Sequence, residues 1–253
     1  LRTLRGQHCI VLRAAPEGIA LCEALRCLEL EVLHFPSMEI RPVAAPRLPA
    51  EPPDLLIFIS QNAVRHGSTA LAAAPSARLA AIGSGSAAAL AALGRPVDIM
   101  PAGGHDSEAL LAAPALCSDM AGRRIWIVRG GPGRALLGDT LVERGARVHY
   151  VEVYERLLPR PDPADTAVAA AWLTGEPPAW LVATSVESLG NLPRLLRERS
   201  LAYRLVTASD RVVKLAEQRD QVLLVLRAEA PDPASLARCM QHWAAGQPDR
   251  DMQ

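Results

Sequence analysis

Cys9-Ile-Val-Leu-Arg-Ala-Ala-Pro16-Glu17 is the stretch that decides the fold. Its apolar run, Cys9–Leu12, is too short for a helix and predicts a buried strand. Pro16 and Glu17 then open a helical pattern that runs through Leu30, since proline suits the first helical turn. Glu31–Phe35 is a second short strand, stopped by Pro36. Strand, helix and strand in succession predict a parallel sheet with helices on its faces.

This opening is written twice. Leu12-Arg13-Ala-Ala-Pro16 recurs as Val128-Arg129-Gly-Gly-Pro132, an offset of 116, and His34-Phe35 as His149-Tyr150, offset 115. Ser60 recurs as Ser185 (offset 125), Ser86 as Ser209 (123) and, more loosely, Asp106-Ser107 as Asp232-Pro233 (126). A nearly constant offset implies internal duplication, with two similar α/β halves and a site between them.

The rest of the chain keeps alternating. Met38–Ile40 reads as extended and Pro42–Pro53 as a linker. Strands are expected at Leu55–Ile59, Leu79–Ile82 and Val97–Met100. Helices follow from Ser60-Gln-Asn62, at Ala87–Leu93 after Gly83–Ser86, and at Ala109–Leu116 after Asp106-Ser107-Glu108. In the second half strands are expected at Arg124–Val128, Val148–Tyr154, Trp180–Ala183, Leu201–Thr207 and Gln221–Leu226. Its helices are Ala135–Arg144, Ser185–Leu196, Asp210–Gln218 and Pro233–Trp243. Pro159–Pro163 reads as a linker that lengthens this half, and Gln247–Gln253 as a frayed polar tail.

Of the 253 residues 50% are hydrophobic and 21% charged, with zero net charge, which predicts a soluble globular protein without a global pull toward nucleic acid or membrane. Leu1–His8 carries no signal-peptide core and no apolar run is long enough to span a bilayer, so a cytoplasmic protein is expected. Cys9, Cys22, Cys27, Cys117 and Cys239 are odd in number and lack a CxxC pair, so reduced, buried thiols are expected rather than disulfides or zinc. Lys214 is the one lysine, in an ordinary helical setting. Positive charge therefore rests on arginine, which favours fixed recognition of carboxylate or phosphate.

One device recurs at six places: an apolar strand, a turn of small or hydroxyl residues, then a helix start. The turns are Ser60–Asn62, Gly83–Ser86, Asp106–Glu108, Gly130–Arg134, Thr184–Ser188 and Thr207–Asp210. Free N–H groups at such helix starts bind anions at the carboxyl edge of a sheet. The commoner use of the same residues is plain N-capping. Arg129-Gly-Gly-Pro-Gly-Arg134 lets backbone approach an anion closely, yet it is neither a Walker loop nor a dinucleotide fingerprint. Tyr150 and Tyr154, four apart on a strand, share a face, and spacing alone makes both core aromatics. His34 and His149 hold matching places and suit hinge or packing roles. His66, His105 and His242 read as partnerless and solvent-facing. No triad, paired-carboxylate or metal-ligand pattern is legible.

Several segments together resemble the uroporphyrinogen-III synthase family. They are Leu33–Pro36, Phe58–Val64 (Phe-Ile-Ser-Gln-Asn-Ala-Val), Ala81–Ser86, Asp106–Leu111, Ile127–Arg134, Val151–Arg156 (Val-Glu-Val-Tyr-Glu-Arg) and Ala183-Thr-Ser185. The likeness runs from about Cys9 to Met240. Departures are Ala14 where proline is frequent, Ser86 where threonine is common, and Ser209-Asp210 in place of a threonine-rich turn.

The resemblance implies two similar parallel-sheet α/β domains joined by a two-stranded connector. Residues 1–35 with 156–253 would form one and 36–155 the other, with connector strands near 34–40 and 149–155. It implies cyclisation of hydroxymethylbilane, a linear tetrapyrrole rich in carboxylates, to uroporphyrinogen III with inversion of the last pyrrole and loss of water. In the family view the hydroxyl leaves to give an azafulvene, and a spiro intermediate fragments and recloses. No metal or organic cofactor is implied. The partners implied are the substrate and, transiently, hydroxymethylbilane synthase handing it over to a monomeric enzyme. Tyr154 matches the family's tyrosine and becomes the catalytic candidate. Substrate-binding candidates are Arg13, Ser60, Asn62, Ser84, Ser86, Ser107, Arg129, Gly130, Gly131, Arg134, Thr184, Ser185 and Ser209. The competing readings are a two-lobed binding protein for an anionic ligand, without chemistry, and a nucleotide-dependent enzyme using Gly130–Gly133.

Overall fold

The computed structural model describes residues 3–104, 106–117, 119–197 and 201–246. His105 and the tail Gln247–Gln253 lie outside the described residues. In chain order the elements begin β1 (His8–Val11), α1 (Glu17–Arg26), β2 (Glu31–His34), β3 (Glu39–Pro42), β4 (Leu55–Phe58), α2 (Gln61–His66), α3 (Ser68–Ala73), β5 (Arg78–Ala81), α4 (Ser84–Ala92), α5 (Ser107–Leu111) and α6 (Pro114–Cys117). They continue with β6 (Arg124–Gly130), α7 (Leu136–Glu143), β7 (Arg147–Leu157), α8 (Pro163–Thr174), β8 (Ala179–Val182), α9 (Val186–Leu196), β9 (Tyr203–Thr207), α10 (Asp210–Ala216), β10 (Val222–Arg227) and α11 (Pro233–Ala244).

Two five-stranded sheets result. One has the order β10-β9-β8-β1-β2, the other β3-β7-β6-β4-β5. Each βαβ opening is thus completed by strands of the other repeat: β1 pairs with β8 and β6 with β4, all parallel. The chain divides into unit 1, Leu1–Glu39 with Leu157–Gln253, and unit 2, Ile40–Arg156.

In both sheets, alternate residues feed opposite cores, as a pleated strand buried on two sides requires. In unit 1 Cys9, Val11, Trp180 and Val182 pack with α1 and α11 residues such as Leu21, Leu25, Leu236 and Met240. Ile10, Leu12, Leu181 and Leu205 pack on the other face with Leu173 of α8 and Leu189 of α9. In unit 2 Leu56, Phe58, Trp126 and Val128 meet α2, α3 and α4 through Val64, Leu71 and Leu90. Leu55, Ile57, Ile125 and Ile127 meet α5, α6 and α7 through Leu110, Leu116 and Leu141.

The differences from the sequence reading have local causes. Val97–Met100 is not a strand; one bridge, Ala80 to Ile99, stands there. The Asp98 carboxylate accepts from Leu79 N at 2.8 Å, taking a ladder position, and Pro96 and Pro101 lack donors. Ala109–Leu116 is broken into α5 and α6 because Pro114 cannot continue a helix. The expected linker Pro159–Pro163 ends where α8 begins, a 12-residue helix that the sequence reading leaves unassigned; Asp162 caps it, its carboxylate accepting from Ala164 N at 2.7 Å. The first helix stops at Arg26, short of Leu30, and Glu29 turns the chain with a φ of 59°. Two cysteines also depart from expectation: Cys9, Cys22 and Cys239 are buried, but Cys27 and Cys117 are exposed.

Candidate functional site

Strand β6 runs through Arg129 and Gly130, and β7 beside it is 11 residues long. Their parallel register holds Ile127 to Tyr150, Val128 to Val151 and Arg129 to Glu152, then shifts so that Gly130 meets Tyr154. One extra residue on β7 makes a β-bulge, and a bulge turns the following side chain over. Tyr150 accordingly packs with the α7 side of the sheet, whereas Tyr154 joins Val151 and Val153 on the α2 side. The expectation that the two tyrosines share a face fails for this reason.

Tyr154 is 6% exposed. Its ring lies against the Cα of Gly130, where any Cβ would overlap ring carbons. Its hydroxyl is 3.1 Å from Ser60 Oγ, and the His66 ring lies 6.0 Å away, tilted by 49°. Ser60 Oγ also accepts from Ala63 N at 3.0 Å, capping α2. His66 is therefore half-buried against an aromatic neighbour, not solvent-facing; burial first, then the nearby Arg65 charge, pulls its pKa below the ordinary histidine value. Gly130, expected to admit an anion, instead makes room for the tyrosine.

The remaining candidates of unit 2 follow β4, β5 and β6 or open α5, so they gather at the carboxyl edge of its sheet. Asn62 Oδ1 accepts from Arg65 at 2.6 Å. Ser84 is exposed and Ser86 buried in the first turn of α4, behind Gly83 as N-cap. Ser107 follows Asp106, whose carboxylate accepts from Ala109 N at 2.8 Å. Gly131 N donates to Tyr154 O at 3.0 Å, so this N–H serves the strand ladder. Arg134 grips Glu108 through both terminal nitrogens, at 2.5 and 3.3 Å. Arg129 lies 3.8 Å above the Tyr150 ring and pairs with Glu152 at 3.2 Å, with its side chain only 12% exposed. Its Nε is buried without a partner among the described residues. The Arg129 guanidinium is thus held by contacts within β6 and β7.

In unit 1 the candidates sit after β1, β8 and β9. Arg13 donates to Pro231 O at 2.5 Å. Thr184 is half-buried, and Ser185 caps α9 by accepting from Ser188 N at 3.1 Å. Ser209 occupies the N-cap place of α10 without a side-chain cap; its own N–H donates to Thr207 Oγ1 at 3.2 Å.

The strand register corrects the histidine pairing. His34 opposes Val11 as Tyr150 opposes Ile127, and Val11 and Ile127 are equivalent at the offset of 116. Tyr150, not the exposed His149, is the counterpart of His34. Each carries its polar tip over a helix glycine, Gly18 or Gly138, and reaches a turn carbonyl: His34 Nε2 to Arg13 O at 2.8 Å, Tyr150 Oη to Ala135 O at 3.4 Å. Sequence offsets could have found this pair, had the strands been aligned without a one-residue slip.

Among the described residues no group of three or more His, Cys, Asp or Glu could hold a metal, and no helix is long and apolar enough to cross a membrane. A cavity of about 260 Å³ lies beside the first residues of β4 and β5, lined by Leu55, Arg78, Ile99, Met120 and Arg123. It is at the amino ends of those strands and does not include Tyr154.

The family model described as uroporphyrinogen-III synthase HemD matches residues 20–237. The chain belongs to the uroporphyrinogen-III synthase family. The uroporphyrinogen-III synthase of Escherichia coli (strain K12) is 36% identical over 225 residues, covering 83% of this chain and 90% of the relative. That of Salmonella typhimurium (strain LT2) is 36% identical over 227 residues, with the same coverage. Among solved structures, a mutant uroporphyrinogen III synthase from the extremely thermophilic bacterium Thermus thermophilus matches with a TM-score of 0.62 at 22% identity, covering 95% of this chain and 99% of that one. Uroporphyrinogen-III synthetase from Helicobacter pylori 26695 also reaches 0.62, at 16% identity, covering 95% and 100%. At such identities the solved structures establish the fold. The function that goes with the family is that of a cyclising hydro-lyase in tetrapyrrole synthesis.

Proposed function

We propose that this chain converts hydroxymethylbilane to uroporphyrinogen III with Tyr154 as the proton donor to the departing hydroxyl. The observation that carries this reading is the Tyr154 hydroxyl, fixed 3.1 Å from Ser60 at the carboxyl edge of the unit 2 sheet. A phenol in that position assists C–O cleavage by protonating the leaving oxygen, a contribution on the order of 10²-fold or more. On the unit 2 side, substrate carboxylates are met by N–H groups of the Gln61-Asn62 turn and by N–H groups and hydroxyls at Ser84–Ser86 and Ser107. Uncatalysed closure gives the uninverted isomer, so much of catalysis is conformational: holding the last ring reversed while the bond forms.

On this reading the domains are joined where the chain passes between units near residues 34–40 and 149–155. The enzyme works as a cytoplasmic monomer and takes its unstable substrate from hydroxymethylbilane synthase. Purified protein incubated with hydroxymethylbilane should yield the type III isomer, and Tyr154→Phe should fold yet lose most turnover. Wild-type turnover in that variant removes the role from Tyr154. Binding of hydroxymethylbilane without type III formation by the wild-type protein would favour a two-lobed binding protein instead.

A further inference from the structure

Ser60 stands among residues expected to hold a substrate carboxylate, but its hydroxyl is already engaged on two sides. Ala63 N–H donates to Ser60 Oγ at 3.0 Å, and Tyr154 Oη lies 3.1 Å from the same oxygen. A hydroxyl has one proton and two acceptor lone pairs. With one lone pair taken by Ala63 N–H, either oxygen can still be the donor toward the other. If Tyr154 donates to Ser60, the phenol proton points away from any substrate. If Ser60 donates to Tyr154, the phenol proton is free to leave the pair.

We infer that Ser60 is a positioning residue that donates its proton to the Tyr154 oxygen, forming a chain from Ala63 N–H through Ser60 Oγ–H to the phenol. This rests on the reading of Tyr154 as proton donor and specifies how it is kept ready. The ring itself packs against the Gly130 backbone, closely enough that a Cβ there would overlap its carbons. As the phenol proton passes to the leaving hydroxyl, the C–O bond breaks, its electron pair stays on oxygen, and water departs. The Ser60 O–H···O bond then meets a developing phenolate, and hydrogen bonds to charged groups are the stronger ones. The phenolate regains its proton from the pyrrole carbon that closes the ring, so the cycle balances with the loss of one water.

The test separates capping from positioning. Glycine is nearly as good an N-cap as serine, so Ser60→Gly removes the donor to Tyr154 with little loss of helix stability. Its kcat should fall about tenfold with KM nearly unchanged, the scale of one hydrogen bond strengthened in the transition state. Ser60→Thr, which keeps the hydroxyl, should restore most of it. Ser60→Asp keeps a good cap and an acceptor but has no proton to give; it should lose kcat as Ser60→Gly does, and it serves if the glycine variant fails to fold. In a Tyr154→Phe background none of these changes should lower kcat further. An equal fall in both backgrounds, or a rise in KM with kcat kept, overturns the inference while leaving Tyr154 in place. Full activity in Ser60→Asp also overturns it. Should Tyr154→Phe itself keep wild-type turnover, the reading beneath it fails, and that variant alone reports it.

Discussion

The strand pairs β1–β2 of unit 1 and β6–β7 of unit 2 occupy matching places in the two repeats, and they differ at their carboxyl ends. β1 stops at Val11, and the chain leaves through Arg13 and Pro16 into α1. β6 continues to Gly130, and β7 follows it with a bulge that turns Tyr154 over. Up to that point the pairs share a device: a polar aromatic tip, His34 or Tyr150, resting over a helix glycine and reaching a turn carbonyl. The shared part is packing that both halves need. The extension is where one half acquires a phenol on a hydroxyl partner, and its outward sign is a glycine that only a neighbouring ring explains.

Gly130→Ala should break the comparison most. The backbone there admits alanine, but its Cβ would occupy the space of the Tyr154 ring. Displacing the ring should cost on the order of 10²-fold in turnover, as small misplacements of reacting groups do. Gly190→Ala in α9, where an added Cβ meets nothing within 4 Å, is the control and should leave turnover alone. Gly130→Ala with wild-type rates would mean that the ring position is immaterial. The shared device predicts a graded effect on stability. Gly18→Ala would press on the Arg13 carbonyl as well as on His34, whereas Gly138→Ala meets only the Tyr150 side chain. Thermal melts should show a loss of ~1–3 kcal/mol, typical of overpacking, for the first, and less for the second. Equal losses would show that the two contacts yield alike, and would remove the distinction between backbone and side-chain neighbour.

The smallest effect concerns His66, next to Tyr154 in unit 2 only. Its pKa in the folded protein lies below the ordinary 6.5, because burial disfavours the cation. The unfolded chain then binds more protons as the pH falls through that ordinary value, so acidification destabilises the fold. The melting temperature of the wild type should drop as pH falls below about 6.5, the unperturbed histidine value. It should drop less in His66→Gln; an unchanged pH slope in that variant would assign the effect elsewhere.

Most strands and caps are legible in the sequence because they depend on local chemistry. Ser60, Asp106, Ser185 and Asp232 are short polar side chains before helical runs, and all four cap. Helix α8 hides behind its prolines, although Asp162-Pro163 repeats the Asp232-Pro233 start of α11. The pairing of His34 with Tyr150 is obscured by one residue, since adjacent His149-Tyr150 looks like His34-Phe35. Which arginines are free for a ligand is not legible at all. Arg129 stacks on Tyr150, Arg134 holds Glu108 and Arg13 reaches the Pro231 carbonyl, and each of these partners is remote in sequence.

By itself the sequence determined the alternation of strand and helix, the duplication, and the family, because periodicity, caps and motif order are written in neighbouring residues. The tertiary structure decided which strands share a sheet, so that each repeat completes the other. It also decided on which face Tyr154 falls. A strand's side chains alternate only while its pairing is regular, and the extra residue opposite β6 is a property of two strands together, visible in neither alone.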